Sequence, residues 1–190
     1  MSGARNDCIL LTDTELIHFV DDDTLPDFNF IKNTIKCFEK HKNLSVVGGK
    51  VIPNWSEVVR PNWMCKTALG YLSMLDFGDT EQWYDKNDGM WLVGANICFR
   101  KSILEKYGGF STELGRKGWS RSLLGSEEMD LVYKMNSDNE KILYSPEIIV
   151  EHIVPSNRTN KNWFLRRVAW QAASDVMTNT TYLQNAGPWS

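Results

Sequence analysis

An α/β fold is predicted by three observations. Glu15 to Val20 is an apolar, strand-like run that stops abruptly at Asp21-Asp22-Asp23. Leu44 to Ile52 is a second, β-branched run. Between them, Asp27 to Lys42 carries Phe28, Ile31, Ile35 and Phe38 at helical spacing, and strand patterns alternating with helical ones point to a sheet covered by helices.

Ile9 to Thr12 is only a short apolar run. Thr24-Leu25-Pro26 follows the aspartates, and Pro26 suits a position at or just before the first turn of the Asp27 to Lys42 helix. Gly48-Gly49 inside the Leu44 to Ile52 strand predicts a bulge or a close approach, and Pro53-Asn54 ends the strand. Trp63 to Leu75 is apolar nearly all round, so periodicity leaves a buried helix and an irregular apolar wall equally open. Asp79 to Asp88 is polar and predicts a loop, followed by a buried strand over Trp91 to Arg100 and a short helix over Ser102 to Tyr107 that stops at Gly108-Gly109. Gly115 to Gly125 predicts a loop leading to a helix that opens at Ser126-Glu127-Glu128. There Ser126 is the N-cap, and glutamates meet the positive end of the helix dipole. Ile142 to Val154 predicts a strand and Lys161 to Met177 a final helix.

The 190 residues suffice for one substantial core, so residues 1-190 are expected to form a single domain. With 42% apolar and 24% charged residues the chain is globular in composition. A net charge of −3 lacks the basic footprint that counterion release demands of a nucleic-acid-binding domain, so no nucleic acid is expected as partner. Cys8, Cys37, Cys65 and Cys98 show neither zinc-ligand nor redox spacing, which favours reduced, mainly buried thiols and a cytoplasmic setting. No apolar run approaches the ~20 residues of a bilayer span. Sequons at Asn54, Asn157 and Asn179 are weak signals without an export signal.

Three adjacent carboxylates repel one another and call for solvent or a cation in compensation. On a strand, Asp21 and Asp23 share a side, and such hard oxygen donors suit Mg²⁺ or Mn²⁺. They also fall at the carboxyl end of a strand, where α/β sheets place ligands. A solvated acidic turn capping the next helix is the alternative. Glu127, Glu128 and Asp130 form a second acidic group, from which Glu128 is the candidate general base, ordinary capping being the alternative. His152, after the apolar Ile148-Ile149-Val150, is a candidate metal ligand or phosphate contact. Arg158 offers a planar fork of donors to the same phosphates. Asn96, in Gly94-Ala95-Asn96, could hydrogen-bond an acceptor hydroxyl, a bulge in a packed sheet being the alternative. Trp55, Trp63, Trp83, Trp91 and Trp119 suit stacking on a sugar face, with core packing explaining several of them.

In order and spacing these pieces resemble the inverting family 2 glycosyltransferases of the GT-A fold. The matching segments are Ala4-Arg5-Asn6, Ile17 to Pro26, Gly94 to Lys101 with Gly108-Gly109-Phe110, Gly125 to Leu131, and His152 with Arg158. The resemblance implies a partial GT-A fold, a Rossmann-like mixed sheet flanked by helices. It also implies transfer of a sugar, with inversion, from a nucleotide diphosphate sugar to a saccharide or lipid-linked acceptor, with Mn²⁺ or Mg²⁺ as cofactor. By the same resemblance the D-x-D element falls on Asp21 to Asp23, with Asp21, Asp23 and His152 on the metal and Asp21, Asp22 and Arg158 toward the nucleotide sugar. Glu128 stands as catalytic base where the family usually has Asp, and Glu127, Asn96 and Trp119 stand on the acceptor side. The family's first βα units precede its counterpart of Ser2 to Asn6. The chain is therefore expected to be the metal- and acceptor-binding portion of a longer fold, its open strand edge paired with a complementing chain or a second copy. Trp163, Phe164, Arg166 and Arg167 in the last helix suit a peripheral membrane contact or core packing equally. A non-catalytic remnant serving as an interaction domain is the main alternative function, and a metal-dependent nucleotidyltransferase a lesser one.

Overall fold

The computed structural model describes residues 2–85, 88–111 and 127–178. In chain order the elements are α1 (Ser2–Leu11), β1 (Leu16–Val20), β2 (Thr24–Pro26), α2 (Phe30–Lys40), β3 (Leu44–Asn54), a 3₁₀ turn over Thr67–Leu72, β4 (Gln82–Trp83), β5 (Asn96–Arg100), α3 (Lys101–Lys106), α4 (Glu127–Ser137), β6 (Lys141–Ile153), a second 3₁₀ turn over Ser156–Thr159 and α5 (Lys161–Thr178). The sheet runs β1-β5-β3-β6-β2, with β4 also paired to β6. Among the described residues only β3 and β6 run parallel, so the sheet is mixed, and α2 and α4 pack on β6. This is the fold class that the sequence predicts.

The core follows from strand composition. Leu44, Val46 and Val47 of β3 and Ile97, Cys98 and Phe99 of β5 are fully buried, as central strands covered on both faces must be. The second half of β6 instead alternates, burying Ile148, Val150 and His152 on one side. That period of two carries a histidine into the row otherwise filled by Ile and Val. At Gly49 the β3–β6 register shifts, as the paired glycines predict. A Cβ at Gly49 would stand 2.2 Å from the Ile148 carbonyl oxygen and 2.3 Å from Asn96 Nδ2, so only glycine fits there.

Several expectations are corrected. Residues 2–11 form a helix that an apolar pattern did not signal, because α1 buries little apolar surface beyond Ile9 and is held instead through Arg5 and Asn6. Pro26 lies in β2, not in the first turn of α2. The predicted apolar face of α2 is only partly buried: Phe38 is in the core as expected, but Ile31 and Ile35 are exposed and Phe28, 99% exposed, precedes the helix, while Phe30, Thr34 and Cys37 are buried with Phe38. The strand expected over Trp91 to Arg100 begins only at Asn96, after a turn closed by Asn96 N–H to the Val93 carbonyl at 3.1 Å. The apolar Trp63 to Leu75 segment is a wall containing one 3₁₀ turn, and Asp79 to Asp88 contains the short β4. Of the four thiols, Cys37 and Cys98 are buried but Cys8 and Cys65 are exposed. Among the described residues no helix is long and apolar enough to cross a membrane.

Candidate metal and acceptor site

The three aspartates do not continue β1. Thr24 closes a turn on Asp21, donating from its backbone N–H at 3.2 Å and its hydroxyl at 2.7 Å to the Asp21 carbonyl. The turn feeds β2, which pairs antiparallel with β6 in a register that sets Thr24 opposite His152. Asp23 is thereby delivered beside that histidine, and Asp21, Asp23 and His152 each offer one ligand atom within 4.8 Å of the others. Asp22 is exposed on the outside of the turn and is not part of this group.

The state of His152 follows from its partners. Nδ1 lies 3.1 Å from the Leu72 carbonyl oxygen, an atom that can only accept, so Nδ1 carries the proton. In the neutral ring this leaves the lone pair on Nε2. Nε2 is buried with no hydrogen-bond partner, although Asp23 Oδ1 stands 2.9 Å away. In the neutral ring that nitrogen and the Asp23 carboxylate both offer lone pairs to the same point, which a cation between them would satisfy. Two like-minded donors held together in this way, with the histidine oriented by a backbone carbonyl, fit a divalent cation. Arg158 Nη2 lies 3.3 Å from Asp23 Oδ2. Burial raises the pKa of Asp21, and the charge of Arg5 opposes that rise.

Arg5 links this group to the second acidic pair. Glu127 and Glu128 occupy the first turn of α4. Arg5 Nη1 lies 2.5 Å from Glu128 Oε1 and 3.3 Å from Glu127 Oε1, while Nη2 lies 3.8 Å from Asp21 Oδ1. Its guanidinium is 5.7 Å from the Phe19 ring centroid and 5.4 Å from that of Phe110, two rings that meet edge-on. Next to it, Asn6 donates to the Phe110 carbonyl at 2.9 Å and accepts from the Phe110 N–H at 2.8 Å, clamping the chain after Gly108 and Gly109, both at positive φ. Arg5 stays above its ordinary pKa because, although burial opposes it, Glu128 and Glu127 hold its charge. Burial, then the neighbouring Glu128 charge, raises Glu127.

The acceptor-side expectations fare differently. Asn96 is 0% exposed, its amide donating to the Lys50 and Ile148 carbonyls at 3.0 and 2.9 Å while Oδ1 meets His18 Nε2 at 3.0 Å. It therefore has nothing left to offer an acceptor and instead ties β5 across the β3–β6 bulge, the alternative reading of Gly94-Ala95-Asn96. Glu127 is buried beneath α4 and turned to Arg5, so it too meets no acceptor directly. Trp119 and Ser126 lie outside the described residues. Trp63 packs edge-on against Phe164, and Trp91 against Phe77. Arg5 is the residue that pattern reasoning passed over, although Ala4-Arg5-Asn6 already stood among the matching segments.

The model of the glycosyltransferase-like family 2 matches residues 2–173. The chain belongs to that family. A curated family relative, the glucosyl-dolichyl phosphate glucuronosyltransferase of Haloferax volcanii, is 23% identical over 170 residues, covering 90% of this chain and 53% of the relative. A mannosyltransferase from Pyrobaculum calidifontis, solved in complex with GDP-Man and Mn²⁺, superposes with a TM-score of 0.60 at 16% identity, covering 100% of this chain and 45% of that one. The likeness establishes the GT-A fold. This family 2 glycosyltransferase chain spans about half the length of these relatives.

Proposed function

We propose that this chain is the metal- and acceptor-binding portion of a metal-dependent glycosyltransferase that moves a sugar from a nucleotide diphosphate sugar to an acceptor hydroxyl with inversion. The observation that carries the reading is the cluster of Asp21, Asp23 and the buried His152, whose ligand atoms lie within 4.8 Å of one another, because two carboxylates and an imidazole held this close fit a divalent cation. Asp21, Asp23 and His152 would hold Mn²⁺ or Mg²⁺, and the bound ion would offset charge on the departing nucleoside diphosphate. Arg158, beside Asp23, would exchange that carboxylate for the diphosphate, and Asp22, exposed on the same turn, is assigned to the donor side. Glu128 takes the proton of the acceptor hydroxyl as its oxygen bonds to the anomeric carbon from the side opposite the breaking carbon–phosphate-oxygen bond. Trp119 stacks on the acceptor sugar.

A lipid-linked acceptor draws support from the Haloferax relative, whose name specifies a dolichyl phosphate compound. The test is calorimetric titration of the protein with a panel of nucleotide diphosphate sugars, with and without Mn²⁺, alongside Asp23→Ala. The expected result is Mn²⁺-dependent binding of at least one donor, weakened about tenfold or more by the substitution. Well-folded protein that binds none of them overturns the reading. That outcome favours the interaction-domain alternative, which draws support from the edge position of β1 and the exposed Phe28, Ile31 and Ile35.

A further inference from the structure

We infer that Arg5 is the positioning residue that joins the two halves of this site, holding the Glu128 carboxylate in place through Nη1 of its guanidinium and opposing the cation at Asp21 with its charge. The inference rests on the glycosyltransferase reading above. Its basis is the arrangement of one guanidinium against three carboxylates from two separate elements. Nη1 meets Glu128 Oε1 at 2.5 Å and Glu127 Oε1 at 3.3 Å, and Nη2 meets Asp21 Oδ1 at 3.8 Å. The Arg5 side chain is 11% exposed and that of Glu128 14%, so neither moves freely in solvent.

Everything around the fork restricts it. The rings of Phe19 and Phe110 flank the guanidinium, and Asn6 fixes Phe110 through two hydrogen bonds. Gly94 closes the remaining side: a Cβ there would stand 1.9 Å from Glu128 Oε1 and 2.5 Å from Arg5 Nη2. The direction of the base is thus set by α1 and by the turn before β5, not by α4 alone. The same positive charge lies next to a metal-side carboxylate, where it competes with a cation for Asp21. A residue serving only to neutralise buried acids has the first property without requiring the second.

The two roles separate experimentally. Mn²⁺ binding to the free protein, followed by electron paramagnetic resonance of the unbound ion, is expected to tighten about fivefold in Arg5→Ala, because removal of a cation beside Asp21 leaves more negative charge there. Arg5→Lys keeps the charge and is expected to bind Mn²⁺ as the wild type does. Turnover moves the other way: in Arg5→Ala, kcat is expected to fall about a hundredfold with donor KM changed less than about threefold, since the base is misplaced while donor contacts persist. Arg5→Lys, lacking the fork, is expected to lose about tenfold in kcat. Added methylguanidine restores part of the Arg5→Ala turnover.

Weaker Mn²⁺ binding in Arg5→Ala, or wild-type kcat in folded Arg5→Lys, overturns the inference. Should Arg5→Ala fail to fold, Arg5→Lys alone decides, through kcat at unchanged Mn²⁺ affinity. Wild-type protein that binds neither Mn²⁺ nor donor sinks the glycosyltransferase reading itself. Wild-type turnover in the arginine variants of an active enzyme sinks only the role of Arg5.

Discussion

Gly94→Ala separates the fold from the proposed chemistry. The added Cβ would stand 1.9 Å from Glu128 Oε1, so that oxygen must retreat about 1.5 Å to reach ordinary van der Waals contact, and Arg5 Nη2, at 2.5 Å, must give by a smaller amount. Both atoms are at the ends of long side chains, and Gly94 has no positive φ, so the backbone need not move. The stability cost is then set by strained rotamers and a loosened ion pair, about 1 to 2 kcal/mol. Displacing the base by more than 1 Å costs far more in rate, about a hundredfold in kcat. Asp21, Asp23 and His152 are untouched, so Mn²⁺ and donor binding should change less than about threefold. The assay is steady-state transfer with the donor found by calorimetry, next to a Mn²⁺ titration and a thermal melt. Wild-type kcat in folded Gly94→Ala would falsify the assignment of Glu128 as the base held against this glycine.

Two further outcomes concern the sheet. Asn96→Ala removes the amide that satisfies the Lys50 and Ile148 carbonyls and leaves His18 Nε2 without its partner; a loss of about 3 kcal/mol in urea unfolding is expected with Mn²⁺ binding retained, whereas an unchanged midpoint would remove its structural role. Burial lowers the pKa of His18 to about 4, with the Asn96 hydrogen bond opposing. A group whose folded pKa lies below its unfolded value of about 6.5 contributes fully above that value and loses its contribution as pH falls toward 4. The loss is about 2 kcal/mol, less than the full shift implies because the ring keeps part of its surface. Denaturant melts of the wild type and His18→Gln between pH 7 and 4 should diverge in that direction, and parallel curves would contradict it.

How much was legible depends on how local the signal is. β1, β3, β6 and α5 were readable because alternation, β-branching and periodicity are properties of consecutive residues, and the acidic turn announced itself by three adjacent like charges. α1 was not, because its anchoring comes from Arg5 and Asn6 reaching residues more than a hundred positions away. The exposure of Ile31 and Ile35 on α2 has a related reason. Ile31 and Ile35 lie one turn apart on the helix, but periodicity says only that a stripe exists, and the neighbouring strands select which side is covered.

The sequence by itself determined the fold class, the family, the acidic cluster and the residues with chemistry to offer: Asp21, Asp23, Glu128, His152 and Arg158. Only the tertiary structure decided how these are arranged. Antiparallel pairing of β2 with β6 brings Asp23 to His152, the Leu72 carbonyl chooses the histidine tautomer, and the Arg5 fork ties Asp21 to Glu128. Each of these depends on strand register, backbone carbonyl direction or long-range packing. Such distances between residues far apart in the chain arise only when the sheet closes.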